Sequence, residues 1–132
     1  MKLYHGSPQN LDVLKPQKAK GMNEFENITG VFLTKTFLHA SLYAIGKTLK
    51  GKTAFGVSEN KLVILGNLNP KAGYVYEVEV KNPIEGHRGQ YTFEGELKPI
   101  KKTKVFPKDY EQYFIRVKNK EEILKALEAN SE

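Results

Sequence analysis

The order of apolar patterns along the chain constrains its fold more than any other feature of the sequence. After Thr36, a candidate N-cap, four apolar residues recur at spacings of 4, 3 and 4, which predicts an amphipathic helix. They are Leu38, Leu42, Ile45 and Leu49. A second helix is predicted from Asn119, which opens a capping box, to Ala129. Elsewhere the chain carries only short runs that are typical of β-strands and turns.

The strand-like runs outnumber the helices and follow one another directly. Residues 74–80 alternate in character and predict the clearest strand, which the Asn82-Pro83 pair ends. Further strands are predicted at residues 2–5, 31–34, 54–57, 62–65, 90–93, 97–105 and 114–117, with a loop at residues 15–30 and a helical turn at residues 109–113. Because strands and helices do not alternate regularly, we expect an α+β fold with mostly antiparallel sheets, in one domain over residues 1–132.

The composition excludes several classes of protein. The 132 residues include no cysteine, which excludes disulfides, a thiolate nucleophile and cysteine-based zinc sites. No apolar run approaches the ~20 residues that a membrane-spanning helix needs. The first residues also lack the apolar region of a signal peptide. We therefore expect a cytoplasmic protein with no membrane partner.

The net charge of +6 comes almost entirely from lysine, since Arg88 and Arg116 are the two arginines. Bidentate contacts with bases and phosphates favour arginine, so sequence-specific recognition of nucleic acid is not expected. The lysines could still steer a phosphate-bearing ligand or RNA to the surface. For an excess of this size we favour lysines that are simply solvated.

His5 is the histidine with the most suggestive sequence context. It lies at the predicted end of the first strand, before Gly6 and Ser7, where a glycine lets a ligand approach the backbone and an imidazole can bind a hydroxyl. A structural histidine beside a turn is the alternative. His39 and His87 have no partner at metal-ligand spacing, so no metal is expected.

Two other groups of residues could carry chemistry. His39, Tyr43 and Lys47 share one face of the first predicted helix, where the tyrosine could stack on a heteroaromatic ring or simply border the core. Glu94 and Glu96 flank a glycine, and the i, i+2 spacing places both on one face of a strand. Either carboxylate could stabilise an oxocarbenium-like centre, or both could lie in a solvated turn.

Three motifs follow one another along the chain: Leu3-Tyr4-His5-Gly6-Ser7, Gly30-Val31-Phe32-Leu33-Thr34 and Ala40-Ser41-Leu42-Tyr43-Ala44. In this order they resemble the NAD-binding half of the ADP-ribosyltransferases, in particular the small rifampin ADP-ribosyltransferases and the poly(ADP-ribose) polymerase branch. Residues 11–16, 74–85 and 91–97 also resemble segments of the rifampin enzymes. The resemblance covers most of residues 3–105 and leaves out the C-terminal helix.

The resemblance implies a split ADP-ribosyltransferase-like arrangement of mostly antiparallel β-sheets flanked by a few helices, with NAD as the substrate. It implies that His5 holds a ribose hydroxyl of NAD, that the Gly6 backbone holds the nicotinamide carboxamide, and that Phe32 and Tyr43 flank the nicotinamide ring. Ser7 and Thr34 complete the first two motifs and are carried over as cofactor-binding residues. Phe32 stands where the family usually has tyrosine, so stacking is kept and a phenolic hydrogen bond is lost.

Three carboxylates are candidates for the catalytic acid that the resemblance implies. Glu96 corresponds to the third-motif glutamate that touches the nicotinamide ribose, and Glu94 to the upstream acid of an E-x-E pair. Glu85 lies in the segment where the rifampin enzymes have their aspartate. We favour Glu96 because it directly precedes a predicted strand.

The activity implied is cleavage of the nicotinamide–ribose bond and transfer of ADP-ribose to a protein, nucleic acid or small-molecule acceptor, without a metal. Lys15, Lys18 and Lys20 could meet the pyrophosphate. The alternatives are a catalytically silent module that binds NAD or ADP-ribose, and a basic RNA-associated module. RNA 2′-phosphotransferase chemistry is disfavoured because the chain lacks a set of arginines for an internal phosphate.

Overall fold

Two β-sheets, two α-helices and two short 3-10 helices (Pro107–Asp109 and Glu111–Tyr113) make up the regular structure in the computed structural model, which describes residues 1–18, 29–49, 55–86 and 89–128. The strands are β1 (Lys2–Ser7), β2 (Gln17–Lys18), β3 (Thr29–Thr34), β4 (Phe55–Ser58), β5 (Lys61–Leu65), β6 (Gly73–Glu79), β7 (Ile84–Glu85), β8 (Gln90–Phe93), β9 (Lys101–Val105) and β10 (Phe114–Val117). The α-helices are α1 (Phe37–Gly46) and α2 (Lys120–Glu128). The predicted α+β class with mostly antiparallel sheets is confirmed.

The larger sheet has the order β7-β8-β3-β1-β6-β9, with β2 paired to β3, and all of its pairs are antiparallel. The first strand of the chain lies near its centre, between β3 and β6, so both edges of β1 are hydrogen-bonded. Its register brings His5 opposite Tyr76 and Gly6 opposite Val75. Leu3, Leu33 and Val78 are buried together in one of the clusters that form the core of this sheet.

The smaller sheet has the order β10-β5-β4, with β10 parallel to β5 and β4 antiparallel to it. Val63, Val117 and Ile123 form its buried cluster with α2. The predicted capping residue of α2 is confirmed, because the Asn119 side chain accepts a hydrogen bond from the backbone N–H of Glu122 at 3.1 Å.

Helix α1 packs closely on β1, and this contact positions the region that carries the predicted site. Thr36 caps the helix as predicted, accepting a hydrogen bond from the His39 N–H at 3.1 Å. A Cβ atom at Gly6 would lie only 2.0 Å from the carbonyl oxygen of Ala40, so glycine is required for the helix to approach the strand. The helix ends at Gly46, and Leu49 is buried beyond its end.

Tertiary pairing changes several predicted boundaries. We expected β1 to end before Gly6, but Gly6 and Ser7 continue the strand because both pair with β6. The predicted loop at residues 15–30 contains β2 and the start of β3, which pair with each other. The strand predicted at residues 97–105 is interrupted: Leu97 forms an isolated bridge with Leu14, and β9 begins at Lys101.

The lysines of residues 98–108 have a structural context in the sheet. Lys101, Lys102 and Lys104 are exposed on β9, which is an edge strand. Charged side chains on an edge oppose pairing with another chain. Lys102 also contacts the Asn10 side chain at 2.5 Å and Asp12 at 3.7 Å. In the described ranges, the structure has no helix with the length and apolar character required to cross a membrane.

Candidate functional site

A cavity of about 480 Å³ lies between the end of β1, the segment that follows it and strand β3. His5 and Ser7 contribute from β1, and Val31 and Phe32 from β3. Lys47 reaches the cavity from the end of α1, and Lys15 from the segment between β1 and β2. The cavity therefore brings together residues of the first two motifs that the sequence singled out.

The His5 imidazole is fixed by the neighbouring strand. Its Nδ1 lies 2.7 Å from the carbonyl oxygen of Phe32, and because a carbonyl only accepts, Nδ1 must carry the proton and donate. Burial, and then the positive charge of Lys47, lower the pKa of His5 to about 4, although the hydrogen bond to Phe32 acts in the opposite direction. The ring is therefore neutral near pH 7, and Nε2 is left as an acceptor for a ligand hydroxyl.

The segment after β1 is held by a tyrosine that the sequence did not single out. The hydroxyl of Tyr76 donates to the carbonyl oxygen of Gln9 at 2.6 Å and accepts from the N–H of Leu11 at 2.6 Å. Ser7 accepts a hydrogen bond from the Gln9 N–H at 3.1 Å. These contacts shape one wall of the cavity, so the Ser7 hydroxyl already has a structural role beside any contact with a ligand.

Lys47 is the second residue that the sequence did not assign to ligand binding. Its Nζ donates to the Gly6 carbonyl oxygen at 3.3 Å and lies 5.5 Å from the centroid of the Tyr43 ring. Removal of the ammonium from water lowers the pKa of Lys47 to about 8. The residue as a whole remains exposed. The ammonium is thus a positive charge close to His5.

Tyr43 is linked to the cavity through Lys47 and does not itself line the described cavity. Its ring stacks on His39 at 5.2 Å with an interplanar angle of 22°, as expected for i, i+4 neighbours on a helix. The Gln90 amide contacts its hydroxyl at 3.5 Å. His39 is buried, and its Nε2 has no partner among the described residues. The imidazole of His39 therefore already stacks on the Tyr43 ring in the structure.

Thr34 has a local structural role. It is buried, and its hydroxyl donates to the carbonyl oxygen of Thr36 at 3.0 Å, which fixes the turn from β3 into α1. Thr34 is not among the residues that line the described cavity. The structure accordingly places this predicted cofactor-binding residue beside the helix cap.

The three predicted carboxylates, Glu85, Glu94 and Glu96, are exposed, and none lines the described cavity. Two of them are nevertheless close to it along the backbone. Glu94 follows Phe93, which pairs with the cavity residue Val31. Glu96 precedes Leu97, which pairs with the cavity residue Leu14. Glu85 lies on the outer strand β7 and pairs with Tyr91 of β8.

The described lining of the cavity is cationic. Lys15 and Lys47 are its charged residues apart from the titratable His5, and no acidic side chain is among them. Such a lining favours an anionic ligand such as a phosphate or pyrophosphate. Of the other predicted pyrophosphate contacts, the Lys18 side chain and all of Lys20 fall outside the described residues. His87 also falls outside them.

Comparison with protein-family models, with curated proteins and with solved structures finds no match for this chain. What the site can do therefore follows from its geometry, its charge and the residue types that form it.

Proposed function

We propose that this protein binds NAD at the described cavity and acts as an ADP-ribosyltransferase, cleaving the nicotinamide–ribose bond and passing ADP-ribose to an acceptor. One observation carries the proposal. His5 and Phe32, which come from separate motifs, are joined by a 2.7 Å hydrogen bond and line the same cavity. This is the convergence that a resemblance to NAD-binding enzymes requires.

Different residues in and beside the cavity suit different parts of NAD. The two lysines, Lys15 and Lys47, suit the pyrophosphate, which carries the negative charge of NAD. The neutral His5 ring suits a ribose hydroxyl, because its Nε2 can accept the hydroxyl proton. Phe32 also lines the cavity and suits the nicotinamide ring. Gly6 and Tyr43 do not line the described cavity but contact its residue Lys47, and they suit the carboxamide and the other face of the ring.

The reaction needs a group that stabilises positive charge on the ribose. When the nicotinamide–ribose bond breaks, its electron pair leaves with nicotinamide and the ribose becomes oxocarbenium-like. A carboxylate near this centre stabilises the transition state more than the ground state. Glu94 and Glu96 are better placed than Glu85 to supply this carboxylate. The residues that flank them, Phe93 and Leu97, pair with cavity residues of β3 and of the segment after β1. Glu85 remains the alternative.

A catalytically silent module that binds NAD or ADP-ribose is the second candidate. It is favoured by the exposure of all three predicted carboxylates and by their absence from the described lining of the cavity. The Gln90 amide, which contacts the Tyr43 hydroxyl, carries no negative charge to balance an oxocarbenium ion. Binding by the lysines and His5 does not require an acid.

Thermal melting with NAD, ADP-ribose and nicotinamide tests binding, and assay of nicotinamide release tests catalysis. A ligand at 100 times its dissociation constant should stabilise the fold by about 2.7 kcal/mol. We expect Glu96→Gln to abolish release while NAD still raises the melting temperature. Glu121→Gln on α2 is the matched control, because this acid is exposed and far along the chain from the cavity segments.

The outcomes separate the candidates. Loss of release in Glu94→Gln or Glu85→Gln, with Glu96→Gln active, assigns the acid to another of the three positions. A melting shift with no release from the unmodified protein supports the silent module. No shift with NAD, ADP-ribose or nicotinamide contradicts both candidates, and salt-sensitive RNA binding in that case would point to the RNA-associated module.

A further inference from the structure

The Lys47 ammonium, at the end of helix α1, contacts two groups that the proposed ligand would also contact, the Gly6 backbone and the Tyr43 ring. The ammonium of Lys47 donates to the Gly6 carbonyl oxygen at 3.3 Å and lies 5.5 Å from the centroid of the Tyr43 ring. Under the proposed function, the nicotinamide carboxamide meets the Gly6 backbone and the nicotinamide ring meets Tyr43. The Lys47 side chain therefore already contacts both positions in the structure.

The neighbours of Tyr43 leave little room for another ring while Lys47 stays in place. His39 is one helical turn before Tyr43 and stacks on its ring at 5.2 Å, whereas Lys47 is one turn after it and also contacts the ring. On a helix surface, the residues four positions before and four positions after a given residue are both its neighbours, on opposite sides of it. A planar ligand that stacks on Tyr43 must therefore displace Lys47.

Lys47 is able to move, and the cavity offers the ammonium a second position. The residue is exposed, so water can replace the contacts that its flexible stem leaves behind. It also lines the cationic cavity with Lys15. An anionic group in the cavity would attract the ammonium and compensate for the lost contacts with Gly6 and Tyr43.

We propose that Lys47 is a specificity-determining residue, which blocks the Gly6–Tyr43 position until a phosphate-bearing ligand draws its ammonium into the cavity. Free nicotinamide is neutral and must displace Lys47 without compensation. NAD carries a pyrophosphate, which forms a charge-assisted contact with the Lys47 ammonium when the side chain moves, and this contact compensates for the displacement. The residue thus selects the dinucleotide against its own product. This inference depends on the proposed NAD site.

The test compares the affinities for nicotinamide and ADP-ribose in the full chain by calorimetry. In Lys47→Met, which keeps the length of the side chain but removes its charge, we expect nicotinamide to bind about threefold more tightly and ADP-ribose about tenfold more weakly. Lys47→Arg should keep most of the affinity for ADP-ribose. Lys125→Met is the matched control, because this lysine lies in the last turn of α2.

The opposite signs distinguish selection from a structural role. Misfolding or loss of the helix end would weaken both ligands, and a melting curve without ligand detects it. If Lys47→Met binds both ligands as the unmodified protein does, or if both affinities change in the same direction, the inference is wrong while the NAD site stands. If the unmodified protein binds neither NAD nor ADP-ribose, the proposed function fails, and the role of Lys47 fails with it.

Discussion

The protonation of His5 should make the protein lose stability in mild acid. In the folded chain Nδ1 donates to the Phe32 carbonyl oxygen, and burial with the nearby Lys47 charge disfavours a second proton. The pKa of His5 is lowered from 6.5 to about 4, whereas the unfolded chain keeps the ordinary value. Between pH 6.5 and about 4 the unfolded state therefore binds a proton that the folded state does not.

The size of the effect follows from the same two pKa values. A shift from 6.5 to about 4 is about 2.5 units, and at about 1.36 kcal/mol per unit it corresponds to about 3 kcal/mol. Because the folded pKa is lowered, this stability is fully present above pH 6.5 and is lost as the pH falls towards 4. The loss is large against the 5–15 kcal/mol that typically holds a domain together.

Urea unfolding at a series of pH values between about 7.5 and 4 measures this loss, with His5→Asn as the comparison. The asparagine amide can still donate to the Phe32 carbonyl but does not titrate. All other titratable groups are the same in both proteins, so their contributions cancel in the difference. We expect the free energy of unfolding to fall by about 3 kcal/mol more in the unmodified protein. A difference between the two proteins that stays constant with pH would refute the proposed state of His5.

Three further substitutions test the fold around the site. Gly6→Ala should destabilise the protein by about 3 kcal/mol in urea unfolding, because the new methyl group would meet the Ala40 carbonyl; an unchanged midpoint would mean that α1 moves freely. Tyr76→Phe should cost about 1–3 kcal/mol and weaken ADP-ribose binding in calorimetry, since both hydrogen bonds to residues 9–11 are lost. Equal affinity in that variant would show that the wall of the cavity forms without them. Asn119→Ala should lower stability by about 1 kcal/mol through loss of the cap, with ligand binding unchanged. A loss of ligand binding there would contradict the position of α2 outside the described lining of the cavity.

The sequence predicted the elements that depend on local patterns. The apolar stripe and Thr36 predicted α1, and the alternation over residues 74–80 predicted β6. Both were predictable because the helical and strand periods appear in the spacing of apolar residues that are close in the chain. It also indicated the order strand, helix, many strands, helix, from which the α+β class follows. The capping function of Asn119 was equally local, because the side chain and the N–H it accepts from lie three residues apart.

The tertiary structure decided how distant residues meet, because pairing between strands and contacts across the cavity depend on register and not on local sequence. It brought His5 to the Phe32 carbonyl across 27 residues and Lys47 to the Gly6 carbonyl across 41. It also showed why residue 6 must be glycine, which the sequence did not indicate: helix α1 approaches the backbone of β1 too closely for a Cβ atom. The sequence indicated which types of residue could form a binding site. The positive charge of the cavity lining and the exposure of the three candidate acids depend on how the strands pack together, so only the tertiary structure showed them.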